Sequence, residues 1–139
     1  MTRTMFATLA FAAVVAVSGP AFAEKYKATL DGKAEVPANT SAGKGTADID
    51  YDAATKKMTY KLTYSGLSGP ATAAHFHGPA EAGKNAGVAV PIANAGSSPA
   101  EGSATLTDAQ AADLAAGKLY INVHTAAKPG GEIRGQVTK

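Results

Sequence analysis

The sequence predicts an all-β domain, and three observations carry that prediction. Short segments of alternating apolar and polar residues recur about every ten residues, separated by clusters of Gly, Pro, Asn and Asp. Within the segments the alternation is clean: Met58, Tyr60, Leu62 and Tyr64 take one face of a strand, while Thr59, Lys61 and Thr63 take the other. Helical patterning is confined to one short stretch. The architecture expected is a single-domain antiparallel Greek-key β-sandwich with one short helix near residues 107–117.

The elements follow in order. Residues 1–23, "MTRTMFATLAFAAVVAVSGPAFA", have a basic residue near the start, an apolar run, a Ser-Gly-Pro break and a terminal Ala-Phe-Ala. That is the layout of a secretory signal peptide cleaved after Ala23. The apolar run is shorter than the ~20 residues a membrane-spanning helix needs, so no stable membrane anchor is expected. Strands are predicted at 26–30, 44–51, 57–65, 71–77, 86–91, 102–106, 119–124 and 132–137. The second and third form a hairpin across the polar turn "DAATK". Residues 35–45 read as a loop rich in turn formers, and 78–87, "GPAEAGKNAG", as a turn after a strand. In "TDAQAADLAAGK" Thr107 and Gln110 make a capping box and Gly117 ends the helix. "KPGGE" turns the chain between the last two strands, which pair antiparallel.

Residues 24–139 leave 116 residues, enough for one small domain. The leader removes only Arg3 from the charge balance, so 12 basic residues face 11 acidic ones. So even a mixture gives no footprint for a nucleic-acid partner. The absence of cysteine excludes disulfides, thiolate catalysis, zinc-thiolate sites and iron-sulfur clusters. The leader's layout points to a periplasmic or secreted protein.

The chain has three histidines. In "AHFH" Phe76 takes the core face, which turns His75 and His77 to the other face. In "LYINVH" Leu119, Ile121 and Val123 form the core set, leaving Tyr120, Asn122 and His124 outward. With Ile133 and Val137 inward, Glu132, Arg134 and Gln136 also point outward. Matching the faces sets Glu132 opposite His124 and Arg134 opposite Asn122. If the two histidine strands are neighbours, three imidazoles share one surface. Neutral imidazole is the commonest ligand for copper and zinc, and two histidines at i and i+2 reach one ion at about 2.0–2.1 Å. Glu132, Glu35 or water is expected as a fourth ligand, and Arg134 and Asn122 as contacts behind the ligands. The alternative is a metal-free cluster of hydrogen-bonded histidines on a structural or protein-interaction module. Arg134 beside Glu132 is expected to form a sheet-stabilising charge pair, the alternative being that its guanidinium forks to an anionic ligand. No nucleophile with a base and an orienting acid can be assembled, so the expectation leans away from an enzyme.

The segments "ATLDGKAEVPANTSAGKGTA", "YKLTYSGLSG", "AAHFHGPAEAGKNAGVAV", "LTDAQAADLAAGKLYINVHT" and "PGGEIRGQV" together resemble the CHRD (chordin-type) domain of exported bacterial proteins, over essentially all of residues 24–139. The resemblance implies an all-β sandwich, immunoglobulin-like or superoxide-dismutase-like, and little about activity. The family's histidine and Gly-Glu-Ile-Arg-Gly signatures fall on His75, His77, Gly78, His124, Glu132, Arg134 and Gly135. The site also looks like a reduced copper-zinc superoxide dismutase face. Three histidines and no disulfide cannot reproduce that dinuclear centre, which leaves a mononuclear copper redox enzyme as a further alternative.

Overall fold

The structure, a computed structural model, describes residues 12–13 and 23–139. The predicted signal peptide lies outside the described residues except for Ala12, Ala13 and Ala23. No helix among the described residues is long and apolar enough to cross a membrane.

Among the described residues, eight strands and one α-helix follow in order: β1 (Glu24–Asp31), β2 (Lys44–Asp52), β3 (Lys57–Ser65), β4 (Ala71–His77), β5 (Val88–Pro91), β6 (Ala100–Thr105), α1 (Asp108–Ala115), β7 (Tyr120–Thr125) and β8 (Ile133–Gln136). A single turn of 3-10 helix, Gly32–Ala34, follows β1. The alternation read in the sequence is the alternation of burial: Tyr26, Ala28 and Leu30, then Ala47, Ile49 and Tyr51, then Met58, Tyr60 and Leu62 all enter one core. The predicted hairpin is present, with Tyr51 opposite Met58.

All-β is correct; the two-sheet sandwich is not what the ladder builds. All eight strands form one antiparallel sheet in the order β5-β4-β7-β8-β1-β2-β3-β6, curled until it nearly closes into a barrel. The join that a sandwich would lack is made by β1. It pairs with β2 along its whole length, and on its other edge meets β8 at Asp31 opposite Arg134 and the tail at Lys27 opposite Thr138. Gly135 permits this join, because a Cβ there would drive into the Thr29 carbonyl.

The ladder is open only between the edge strands β5 and β6. Side chains of β3 hold the loop that joins those two edges: Tyr60 Oη accepts from Ala93 N at 3.0 Å, and Tyr64 Oη donates to the Ala95 carbonyl at 2.5 Å. The helix belongs to the same closure. Its capping box forms as expected, with Thr107 Oγ1 accepting from Gln110 N and Gln110 Oε1 accepting from Thr107 N. Gln110 Nε2 also donates to Ala89 of β5 at 3.0 Å, and Leu114 is buried in the core. The crossover helix is thereby tied to the sheet edge as well as to the core.

Candidate metal centre

β4 and β7 are neighbours in the ladder, with Ala73 opposite His124, His75 opposite Asn122 and His77 opposite Tyr120. Strand parity therefore delivers all three imidazoles to one face. The ring centroids of His75 and His124 are 4.9 Å apart, those of His75 and His77 5.5 Å, and those of His77 and His124 6.2 Å. One nitrogen from each ring lies within 4.8 Å of the other two, the group among the described residues suited to holding a metal ion.

Backbone carbonyls orient two of the rings. His124 Nδ1 is 2.8 Å from the Pro129 carbonyl, and His77 Nδ1 is 3.0 Å from the Ala86 carbonyl. His77 has an acceptor at each nitrogen, the Ala86 carbonyl at Nδ1 and Asn122 Oδ1 at Nε2, so a neutral ring donates to one of them; the Pro129 carbonyl only accepts, so in His124 Nδ1 carries the proton and Nε2 keeps its lone pair. That arrangement typifies metal-binding histidines. His124 Nε2 lies 3.0 Å from His75 Nδ1. With metal-nitrogen distances of about 2.05 Å, a 3.0 Å separation gives an angle at the ion of about 94°, and a tetrahedral site needs about 3.3 Å. For that pair a few tenths of an ångström of opening suffice, and with the third nitrogen within 4.8 Å of both the donor set suits an imidazole-bound ion.

The face is drier than the sequence suggests. Residues 78–87 read as a plain turn but fold over it. The Ala86 carbonyl accepts from Tyr120 Oη at 3.1 Å as well as from His77. Arg134 donates to Asn85 Oδ1 at 2.8 Å and to the Lys84 carbonyl, and Gln136 Nε2 donates to the Ala80 carbonyl at 2.8 Å. His77 is consequently buried, while His75 and His124 are half-exposed. Burial pushes the His75 and His77 imidazoles below the ordinary histidine value, with the neighbouring rings adding to the effect. His77 also stacks on Tyr120, with centroids 4.9 Å apart and planes 7° from parallel. The guanidinium of Arg134 lies 3.5 Å from the Tyr120 ring centroid.

The acids differ from expectation. Glu132 was expected to flank the histidines from a strand position, but β8 begins one residue later. Its carboxylate turns away into a cage of donors: Ser41 Oγ and Ser68 N on Oε2, at 2.9 Å each, and Ser68 Oγ and Thr125 Oγ1 on Oε1. It is fully buried, and although burial alone raises a carboxyl, these hydrogen bonds hold it down at about 2. Arg134 makes no ion pair with it and instead occupies the Tyr120 face, still opposite Asn122 as predicted.

Glu35 is the acid nearer the histidine network. It is buried, and its Oε1 has no hydrogen-bond partner. Burial pushes its carboxyl up to about 7, against the smaller opposing pulls of Arg134 and Asn122. Asn122 stands between Glu35 and the histidines. Its Oδ1 is 2.8 Å from His77 Nε2, and its Nδ2 is 3.4 Å from the Gly130 carbonyl. Glu35 therefore reaches the cluster through an amide and is not among the three metal-suited residues.

A family model described as CHRD domain matches residues 26–137. No curated protein and no solved structure matches the chain.

Proposed function

Because the chain belongs to the CHRD-domain family, which fixes no chemistry by itself, we propose that its function is carried by the histidine face. On this reading the protein is an exported domain, freed by cleavage after Ala23 into the periplasm or the extracellular medium. It binds one copper or zinc ion through His75, His77 and His124. The supporting observation is the convergence of three ring nitrogens within 4.8 Å, with the Nδ1 atoms of two rings engaged by carbonyls. The ligand set is neutral, which suits borderline transition metals rather than calcium or magnesium.

One observation favours a metal-free module instead. The 3.0 Å contact between His75 and His124 is a good hydrogen bond in its own right when His75 Nδ1 carries the proton. In that case the cluster is a polar patch for a protein partner.

Copper and zinc titration of the untagged protein beginning at Glu24, followed by calorimetry, separates the two. One site of submicromolar affinity, lost in both His75→Ala and His124→Ala, is the expected result. Absence of binding, or binding that neither variant changes, overturns the metal reading.

A further inference from the structure

Three histidines leave a tetrahedral ion one ligand short, and the acids do not supply it. Glu132 is turned into its cage of hydroxyls, and neither it nor Glu35 joins the histidine group. The side chain placed to complete the set is an amide. Asn122 is paired opposite His75 across β4 and β7, lies two residues before His124 on the same face of β7, and brings its Oδ1 to 2.8 Å from His77 Nε2. It is buried.

The hydrogen bonding around His77 is one proton short. The ring stands between two acceptors, the Ala86 carbonyl 3.0 Å from Nδ1 and Asn122 Oδ1 at Nε2. The neutral ring, which burial favours, has a single N–H, so one of the two contacts sets a lone pair against a lone pair. The Ala86 carbonyl also receives the Tyr120 hydroxyl at 3.1 Å, whereas among the described residues Asn122 Oδ1 has His77 as its donor. In the empty site the proton therefore belongs on Nε2.

An ion changes that count. Ligation through Nε2 puts the ring proton on Nδ1, where the Ala86 carbonyl takes it, and leaves Nε2 and Oδ1 presenting lone pairs to the same space. A cation between them turns the repulsion into two bonds. Nitrogen and oxygen ligands held at about 2.0–2.2 Å stand about 3.4 Å apart in a tetrahedral site, so an opening of about 0.6 Å lets the two atoms share an ion. The amide is fixed with this end forward. Its Nδ2 lies 3.4 Å from the Gly130 carbonyl and, with Glu35 Oε1, borders the space left by the missing side chain of Gly131. Both neighbours are acceptors and suit the NH2.

We propose that Asn122 Oδ1 is the fourth ligand of the ion, completing a set of three nitrogens and one oxygen with His75, His77 and His124. The proposal rests on the metal reading above and gives it a direction. A shell made wholly of protein atoms is that of a site that holds its ion, whereas a catalytic site keeps a position open for water or substrate.

The experiment combines Zn2+ calorimetry with Co2+ absorption spectra, using azide as the probe for an open coordination position. Asn122→Ala should bind Zn2+ about 10- to 100-fold more weakly, a loss that an amide merely orienting His77 would also give. Azide separates the two roles. Co2+ in the unaltered protein should keep its visible spectrum as azide is added, and Co2+ in Asn122→Ala should change it, because azide enters the vacated position. Asn122→Asp retains an oxygen and should bind Zn2+ at least as tightly as the unaltered protein while remaining insensitive to azide. An unaltered protein as responsive to azide as Asn122→Ala overturns the proposal, as does an unchanged Zn2+ affinity in that variant. Should the variant fail to fold, NMR of the isotope-labelled unaltered protein decides. Zn2+ should move the His77 ring proton from Nε2 to Nδ1 and shift the Asn122 side-chain carbonyl carbon. Zn2+ bound with Nε2 still protonated, or with that carbon unmoved, overturns the fourth ligand. If the unaltered protein takes up no Zn2+, the metal reading itself fails, a result distinct from uptake into an azide-sensitive site.

Discussion

Replacing Glu132 with Gln removes one charge from a buried cage and changes almost nothing in shape. The folded carboxyl titrates at about 2, against 4.5 for an unperturbed glutamate. That difference corresponds to about 3 kcal/mol in favour of the folded, ionised form. Because the folded value is the lower one, the contribution is complete above pH 4.5 and disappears as pH falls toward 2. Glutamine cannot recover it. Its NH2 cannot sit at the Oε2 position, where it would oppose the fixed backbone N–H of Ser68. It must turn toward Ser68 Oγ and Thr125 Oγ1, whose hydroxyls can rotate to accept. Glu132→Gln should therefore lose about 3 kcal/mol at pH 7, or roughly 10 °C in Tm for a domain of this size. Urea unfolding of both proteins from pH 7 to pH 2 is the assay. The other carboxylates titrate alike in the two proteins and cancel in the difference. The gap should be constant down to about pH 4.5 and close below it. A gap of the same size at pH 2.5 as at pH 7, or none at pH 7, would refute the reasoning.

Glu35 should behave in the opposite sense. Its folded value, about 7, lies above the unperturbed 4.5, so the unfolded chain ionises first and stability falls as pH rises from 4.5 through 7. Denaturant unfolding should find Glu35→Gln more stable than the unaltered protein at pH 8, by up to about 3 kcal/mol, and similar to it at pH 4. Gly131→Ala places a methyl against Glu35 Oε1 and Asn122 Nδ2 at a backbone φ of +125°, and thermal unfolding should register a loss of roughly 1–3 kcal/mol. Thr107→Ala opens the capping box that starts α1 and should lose about 1 kcal/mol by the same measurement, with metal affinity unchanged.

What was legible in the sequence is what alternation encodes. Strand faces follow directly from period 2, so Phe76 in the core and His75 and His77 opposite it needed no tertiary information. The capping box was equally local, since Thr107 and Gln110 are three residues apart. The pairing of β4 with β7 was a condition of the site rather than a reading, because no residue in either strand names its partner. Glu132 was misplaced because parity was extended one residue beyond the strand, and the serines that hold it, Ser41 and Ser68, come from distant loops. The burial of the histidine face was hidden for a related reason. Residues 78–87 have the composition of an ordinary turn, and only the docking of their carbonyls onto His77, Tyr120, Arg134 and Gln136 makes them a cover. The roles of Asn122 and Glu35 were seen only as membership of a neighbourhood. An amide between an imidazole and a buried carboxyl is a matter of distances, which spacing along the chain does not carry.

The join between the first strand and the tail has a topological consequence. Lys27 and Thr138 exchange both backbone hydrogen bonds, at 2.8 and 2.9 Å, so the first strand and the tail that follows β8 run side by side. Such a domain is close to a ring cut at one point, and the position of the cut is a choice. A short linker across Lys27 and Thr138 would allow the chain to be opened instead at the exposed hairpin turn between β2 and β3, leaving every histidine contact on an unbroken stretch of polypeptide.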